Sequence, residues 1–202
     1  MDYSSISSIQ LDVLKEISNI GAGNAATSLS QILGQKVDMC VPNASVVDFN
    51  DLLGIFGNEE EVVLGVMILY NGDVSGSMIF MLPKKSIGQM IGPLLGREYT
   101  EDSVFDEMDM SAMKEIGNII VSSYIGSLAS MTGFSIRVTE PFATIDMAAS
   151  ILSVPVSEVG KYGDNVLFME SYITCDGVEL GGHFIMLPSI ESYEKIMAVF
   201  GM

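Results

Sequence analysis

Residues 14–20 read Leu-Lys-Glu-Ile-Ser-Asn-Ile, and residues 113–119 read Met-Lys-Glu-Ile-Gly-Asn-Ile. Two near-copies of one segment in a chain of 202 residues signal an internal duplication. The signal extends downstream: EVVLGVMILYNGDVSGSMIFMLP at 61–83 parallels NVLFMESYITCDGVELGGHFIMLP at 165–188, and both blocks end in Met-Leu-Pro. The chain therefore reads as one domain, 1–202, made of two repeats at about 9–98 and 104–202.

Each repeat has the same order of elements. Apolar residues at helical spacing predict long helices over 9–33 and 104–132. After each comes a short strand, VDMCV at 37–41 or FSIRV at 134–138, and then an ordered connection. Two further strands follow, at 62–69 and 75–82 in the first half and at 165–174 and 180–187 in the second. Asn71-Gly72-Asp73 and Asp176-Gly177 supply turn chemistry between them, and Pro83 and Pro188 stop the second strand of each pair. Closing helices are predicted over KKSIGQMIGPLL at 84–95 and IESYEKIMAVF at 190–200. Strands that follow one another by hairpins favour antiparallel pairing, which excludes a βαβ dinucleotide fold. The expected class is α+β: one pseudo-twofold domain of two α-β-β-β-α-like repeats, with a continuous, mainly antiparallel sheet covered on one side by helices.

On a helix, positions three and four apart share a face, so Glu16 lies beside Asn19 and Glu115 beside Asn118. The first face continues through Gly23, Ala26, Thr27 and Ser30, and the second through Ser122, Gly126 and Ala129. The opposite stripes, Leu11, Leu14, Ile17, Gly21, Ala25, Leu29 and Ile32, and Met113, Ile116, Ile120, Tyr124, Leu128 and Met131, are expected to meet the sheet. Glycine inside a helix costs up to about 1 kcal/mol relative to alanine, so small residues repeated beside a Glu-Asn pair predict the close approach of a helix or a partner protein.

Other chemistries fit poorly. A balance of 9 Lys+Arg against 26 Asp+Glu, net −17, argues against nucleic acid and anionic lipid as partners. The Gly21-Ala22-Gly23 stretch lies within the predicted helix, and its counterpart is Ile120-Val121-Ser122, which argues against a phosphate cradle. His183 is the only histidine and reads as structural, and Cys40 and Cys175 read as buried thiols with no metal-site spacing. Residues 116–136 carry no charge, but their Asn, Ser, Thr and Gly content argues against a membrane span. The N-terminus has no secretory pattern, so a cytoplasmic location is expected.

The two motif segments, KEISNIGAGNAATSLS and KEIGNIIVSSYIGSLA, with VPNASVV after the first and PFATIDMAAS after the second, resemble the CheC family of chemotaxis phosphatases. Two motifs match CheC itself better than the single motif of CheX-like members, and the additions of FliY-like members are not expected. The resemblance covers essentially the whole chain. It implies hydrolysis of the aspartyl phosphate on a CheY-like receiver: Glu16 or Glu115 would pair with the receiver's lysine, and Asn19 or Asn118 would orient the attacking water. Gly23, Thr27, Ser122 and Gly126 would form the face that the receiver approaches. No cofactor is expected on this chain, since Mg²⁺ is supplied in the receiver. The resemblance also implies binding of the receptor deamidase CheD through a helix after the second motif helix, where ATIDMAASI offers Asp146. A non-catalytic adaptor binding CheD or the phosphorylated receiver is the competing reading.

Overall fold

The structure, a computed structural model, describes residues 6–48, 51–52, 54, 60–100, 102–159 and 165–202. Helix α1 spans Ser8–Leu33 and is followed by strands β1 (Val37–Asp48), β2 (Val62–Gly72) and β3 (Gly76–Pro83), then helix α2 (Lys84–Leu95). Helix α3 (Glu107–Thr132) opens the second half and is followed by β4 (Ile136–Val138), β5 (Phe142–Met147), helix α4 (Ala148–Val159), β6 (Asn165–Cys175), β7 (Val178–Glu179), β8 (His183–Pro188) and helix α5 (Ile190–Val199).

All the strands among the described residues join one antiparallel sheet in the order β1-β6-β8-β3-β2-β4, with β5 also on β2 and β7 on β6. The order is a palindrome of the two repeats. The dyad passes between β3 and β8, where Ile79 pairs with Ile185 and Phe80 with Phe184. The halves are also interlaced, because β1 pairs with the second half's β6 while β4 and β5 pair with the first half's β2. Among the described residues neither half completes its own sheet.

Both motif helices pack on one face of this sheet. Helix α1 starts at a capping box, in which Ser7 Oγ accepts from the Gln10 N–H and Gln10 Oε1 accepts from the Ser7 N–H, and ends at Gly34 in the left-handed region. Helix α3 starts later than its apolar pattern suggests, at the Asp106 cap, because the Asp106 carboxylate takes the N–H groups of Met108 and Asp109. Arg97 binds Asp106 (2.9 Å) and the buried Asp109 (2.8 Å), fastening that helix start to the segment before it. The Asp109 N–H and the Arg97 guanidinium hold the Asp106 carboxyl below its usual range.

The buried stripes are Leu14, Ile17, Gly21, Ala25 and Leu29 on α1 and Met113, Ile116, Ile120, Tyr124 and Leu128 on α3. Ile32 and Met131 in the last turns are exposed, and Ala26 on the expected polar face is buried. The repeat extends to the contacts between helix and sheet. Ser18 donates to Met169 Sδ (2.7 Å), and its equivalent Gly117 sits so closely over Val66 that a Cβ would lie 2.6 Å from Val66 Cγ1. Between the helices, a Cβ on Gly21 would lie 2.8 Å from the Tyr124 Cα, so glycine sets their separation. Among the described residues no helix is long and apolar enough to cross a membrane.

Four expectations change. The second face of the sheet is not bare: Leu52, Ala148, Ile151 and Leu152 pack on Val63, Ile79, Met81, Val166, Phe168, Ile185 and Leu187. The apolar runs of β2, β3, β6 and β8 thus have covered residues on both faces, and Gly65 admits Ile151 of α4, since an added Cβ there would lie 2.7 Å from Ile151 Cγ2. Asp146 lies in β5, paired with Val63, because the ATID stretch continues the sheet edge and the helix begins only at Ala148. Asn71-Gly72-Asp73 is not a tight turn, since β2 runs on to pair Asn71 with Arg137 and Gly72 with Ile136. Asp176 and Gly177, both at positive φ, do form the two-residue turn joining β6 to β7. His183 opens β8 half-buried, 5.5 Å from the Phe168 ring. Cys175 is buried as expected, but Cys40 is exposed, next to the buried Val41 on the same edge strand.

Candidate functional site

Glu16 and Glu115 are exposed, and Asn19 and Asn118 are half-buried one turn further along the same faces. The small residues beside them are open. Gly23, Thr27 and Gly126 are exposed and Ser122 is half-exposed, and a Cβ added at Gly23 or Gly126 would meet no atom within 4 Å. Small residues on the other face serve helix and sheet packing, as Gly21 and Gly117 do. The sequence pattern therefore mixes two causes that the structure separates: glycines that let the fold close, and glycines that leave a surface accessible.

The two asparagines are held differently. Asn19 Nδ2 donates to the carbonyl of Val41 (3.0 Å) and to that of Lys15 (3.1 Å), and Asn19 Oδ1 accepts from the Val41 N–H (2.9 Å). The cause lies in β1, whose pairing with β6 breaks between Cys40 and Asn43. Pro42 has no N–H to give the ladder, and Val41, 1% exposed, would leave both its main-chain groups without a strand partner. The Asn19 amide takes the place of that missing strand.

In the second half, Pro141 breaks the edge strand at the equivalent point, leaving β4 and β5 as separate pieces. The residue before it is Glu140, not valine, and it is exposed. Thr139 bridges the gap from its own side, with its N–H to Leu69 O (2.9 Å) and its Oγ1 accepting from the Leu69 N–H (3.2 Å). Asn118 is left out of the sheet and meets Ser122, whose Oγ donates to Asn118 Oδ1 (3.3 Å). Lys114, next to Glu115, pairs with Glu140 (2.5 Å), and its ammonium holds the Glu140 carboxyl below its usual range.

The second pair therefore presents an amide whose NH₂ end has no partner among the described residues beside an exposed carboxylate, and the first presents an exposed carboxylate beside an amide built into the fold. Sequence reasoning leaves the two pairs unranked, but a signal was there: VPNAS and EPFAT align through proline and alanine and differ at Val41 against Glu140. A cavity of about 710 Å³ lies elsewhere, between α2 and the β6–β7 turn, lined by Gly92, Arg97, Tyr99, Cys175 and Asp176, with none of the motif residues on its wall. Asp146 is exposed at the sheet edge, its Oδ1 accepting from the Met147 N–H (2.7 Å).

Comparison with known proteins follows the same residues. Residues 9–46 match the CheC-like family, and residues 64–155 match the chemotaxis phosphatase CheX. The chain is 33% identical to the CheY-P phosphatase CheC of Bacillus subtilis, covering 98% of this chain and 97% of that one. Among solved structures, FliY of Thermotoga maritima superposes with a TM-score of 0.77 at 23% identity, covering 98% of both chains. A chain of the CheX–CheY–BeF₃–Mg²⁺ complex from Borrelia burgdorferi does so with a TM-score of 0.53 at 16% identity, covering 83% of this chain and 95% of that one. At those identities the two structures speak for the fold. Together with the duplicated helices and their Glu-Asn pairs, the near full-length similarity to the Bacillus subtilis protein means that this chain belongs to the CheC-like family.

Proposed function

We propose that this chain hydrolyses the aspartyl phosphate of a CheY-like receiver, with Glu115 and Asn118 as the leading pair. Family membership supports the reaction class, since the Bacillus subtilis relative is named a CheY-P phosphatase. The observation that carries the choice of pair is the uncommitted amide of Asn118, beside exposed Glu115 and open Gly126 on one helix face.

The chemistry suits such a surface. Phosphoryl transfer has a loose transition state in most analyses, so placing water in line with phosphorus accelerates it without a covalent step. Glu115 docks against the receiver's lysine by a charge-assisted contact. Asn118 enters beside the phosphoryl group and orients a water through an amide that donates, accepts and does not titrate. The water oxygen bonds to phosphorus, the bond from phosphorus to the aspartate oxygen breaks, and inorganic phosphate leaves with the receiver carboxylate restored. The Mg²⁺ that balances the phosphoryl charge belongs to the receiver. Glu16 and Asn19 act as a second, weaker pair, because using Asn19 means breaking its bonds to Val41.

The test follows decay of a phosphorylated CheY-like receiver with Mg²⁺, in the presence of wild type, Asn19→Ala, Asn118→Ala and the double variant. Wild type shortens the lifetime, Asn118→Ala loses most of that effect, and the double variant returns decay to the spontaneous rate. A wild type that binds the phosphorylated receiver without changing its lifetime rejects the enzyme in favour of an adaptor. We extend the proposal to CheD as a partner, with exposed Asp146 and the start of α4 as its contact; Asp146→Lys then weakens CheD capture while leaving receiver dephosphorylation unchanged.

A further inference from the structure

Resting on the reading above, we propose that Ser122 is a positioning residue for Asn118, holding the amide oxygen so that the NH₂ end faces the docked receiver. The hydroxyl's partner is the first reason. Serine and threonine inside helices ordinarily bond back to the main-chain carbonyl one turn earlier. In the motif helices Thr27, Ser28, Ser30, Ser123, Ser127 and Thr132 all do so. Ser122 departs from them and donates to a side chain of its own helix, Asn118 Oδ1, at 3.3 Å, whereas Ser18 donates to Met169 Sδ of the sheet.

The second reason is what an exposed amide needs. A free asparagine on a helix surface turns about its terminal torsion, and its two ends are nearly the same shape. One bond to the oxygen selects one orientation before docking, which lowers the ordering cost at the moment of reaction. The oxygen keeps a second lone pair for water, and both N–H groups stay available. In the first half the equivalent position is Gly23, which has no hydroxyl, and the Asn19 amide is held by Val41 instead. A hydroxyl beside the asparagine therefore occurs in the half whose amide is free of the sheet, and not in the half whose amide the sheet fixes.

The experiment measures kcat and KM for dephosphorylation of a CheY-like receiver by wild type, Ser122→Ala, Ser122→Thr, Asn118→Ala and Ser122→Ala/Asn118→Ala. Ser123→Ala, whose hydroxyl bonds a carbonyl, is the control. Ser122→Ala is expected to lower kcat about three- to tenfold with KM changed less than about twofold. Ser122→Thr restores kcat to within about twofold, and Ser123→Ala leaves it unchanged. In the Asn118→Ala background, Ser122→Ala has no further effect, because it acts through Asn118. The proposal is overturned if Ser122→Ala matches wild type while Asn118→Ala does not, or if it costs the same factor in both backgrounds. Should Asn118→Ala itself keep full activity, the reading of the site fails first and takes this inference with it.

Discussion

Replacing each asparagine by alanine should separate a structural from a chemical role, and the structure sets the size of the difference. Asn19→Ala removes bonds of 2.9 and 3.0 Å from the main chain of Val41, a residue only 1% exposed. Leaving a buried main-chain donor or acceptor unpaired costs about 1–3 kcal/mol, so the two groups bound the loss at about 2–6 kcal/mol. Asn19 is itself half-buried, and water can reach the vacated space, so the lower end, about 2–3 kcal/mol, is expected. Asn118→Ala removes one 3.3 Å contact on a half-exposed surface and installs a better helix former, for a change within about 0.5 kcal/mol. In a domain of this size each kcal/mol moves Tm by about 2–4 °C, so Asn19→Ala should melt about 4–12 °C below wild type. Asn118→Ala should melt within about 2 °C of it. Thermal and urea melts followed by circular dichroism read the difference, alongside the phosphatase assay on the same samples. An Asn19→Ala variant as stable as wild type would refute the argument that this amide stands in for a strand partner. So would an Asn118→Ala variant destabilised as much as Asn19→Ala.

Gly21→Ala should destabilise by about 1–3 kcal/mol, since its Cβ would stand 2.8 Å from the Tyr124 Cα, a main-chain atom that cannot turn aside; a melt unchanged from wild type would place the helices further apart than described. Gly126→Ala, in open space, should stabilise by about 0.5–1 kcal/mol, whereas Gly126→Trp should fold normally and weaken receiver binding at least about tenfold, read by titration against a phosphorylated receiver. The Asp106 carboxyl is held below its usual range by the Asp109 N–H and then Arg97, so its contribution is present above the unfolded-state pKa and is lost as pH falls through the lowered folded value. Melts of wild type and Asp106→Asn should therefore differ at neutral pH and converge in acid, and a gap that widens in acid would show the sign to be wrong.

Much of this was legible in the sequence because duplication repeats the signal. The motif helices, the paired strands and the helix over 84–95 follow from periodicity and from proline at the strand ends, features set within a few residues. The second covered face of the sheet was harder to read, since strands buried on both sides show runs such as Ile79–Leu82 with no alternation to reveal it. Asp146 misled because ATIDMAAS has no internal stop, and only pairing of Ile145 and Asp146 with Leu64 and Val63 makes its first part a strand. The exposure of Glu16 and Glu115 was readable from helix geometry. The tie from Asn19 to Val41 was not, because it depends on where a strand from the first half loses its partner in the second.

That tie also explains why the two halves diverge while keeping the same motif letters. Near a pseudo-twofold axis, equivalent positions of two helices compete for one space: Ala25 is the equivalent of Tyr124, and the small residues of α1 accommodate the large ring, which packs 4.3 Å from Phe184. A tyrosine at both positions would overfill the core. The polar faces obey a different constraint, because each edge strand is broken at its proline and each break exposes main-chain groups to the side chain above it. Where the residue before the proline is buried, as Val41 is, the helix asparagine becomes part of the sheet; where it is exposed, as Glu140 is, the asparagine stays free for a partner. On the proposed function, one substitution at the strand break moves a Glu-x-x-Asn helix between structural and chemical duty without altering the motif.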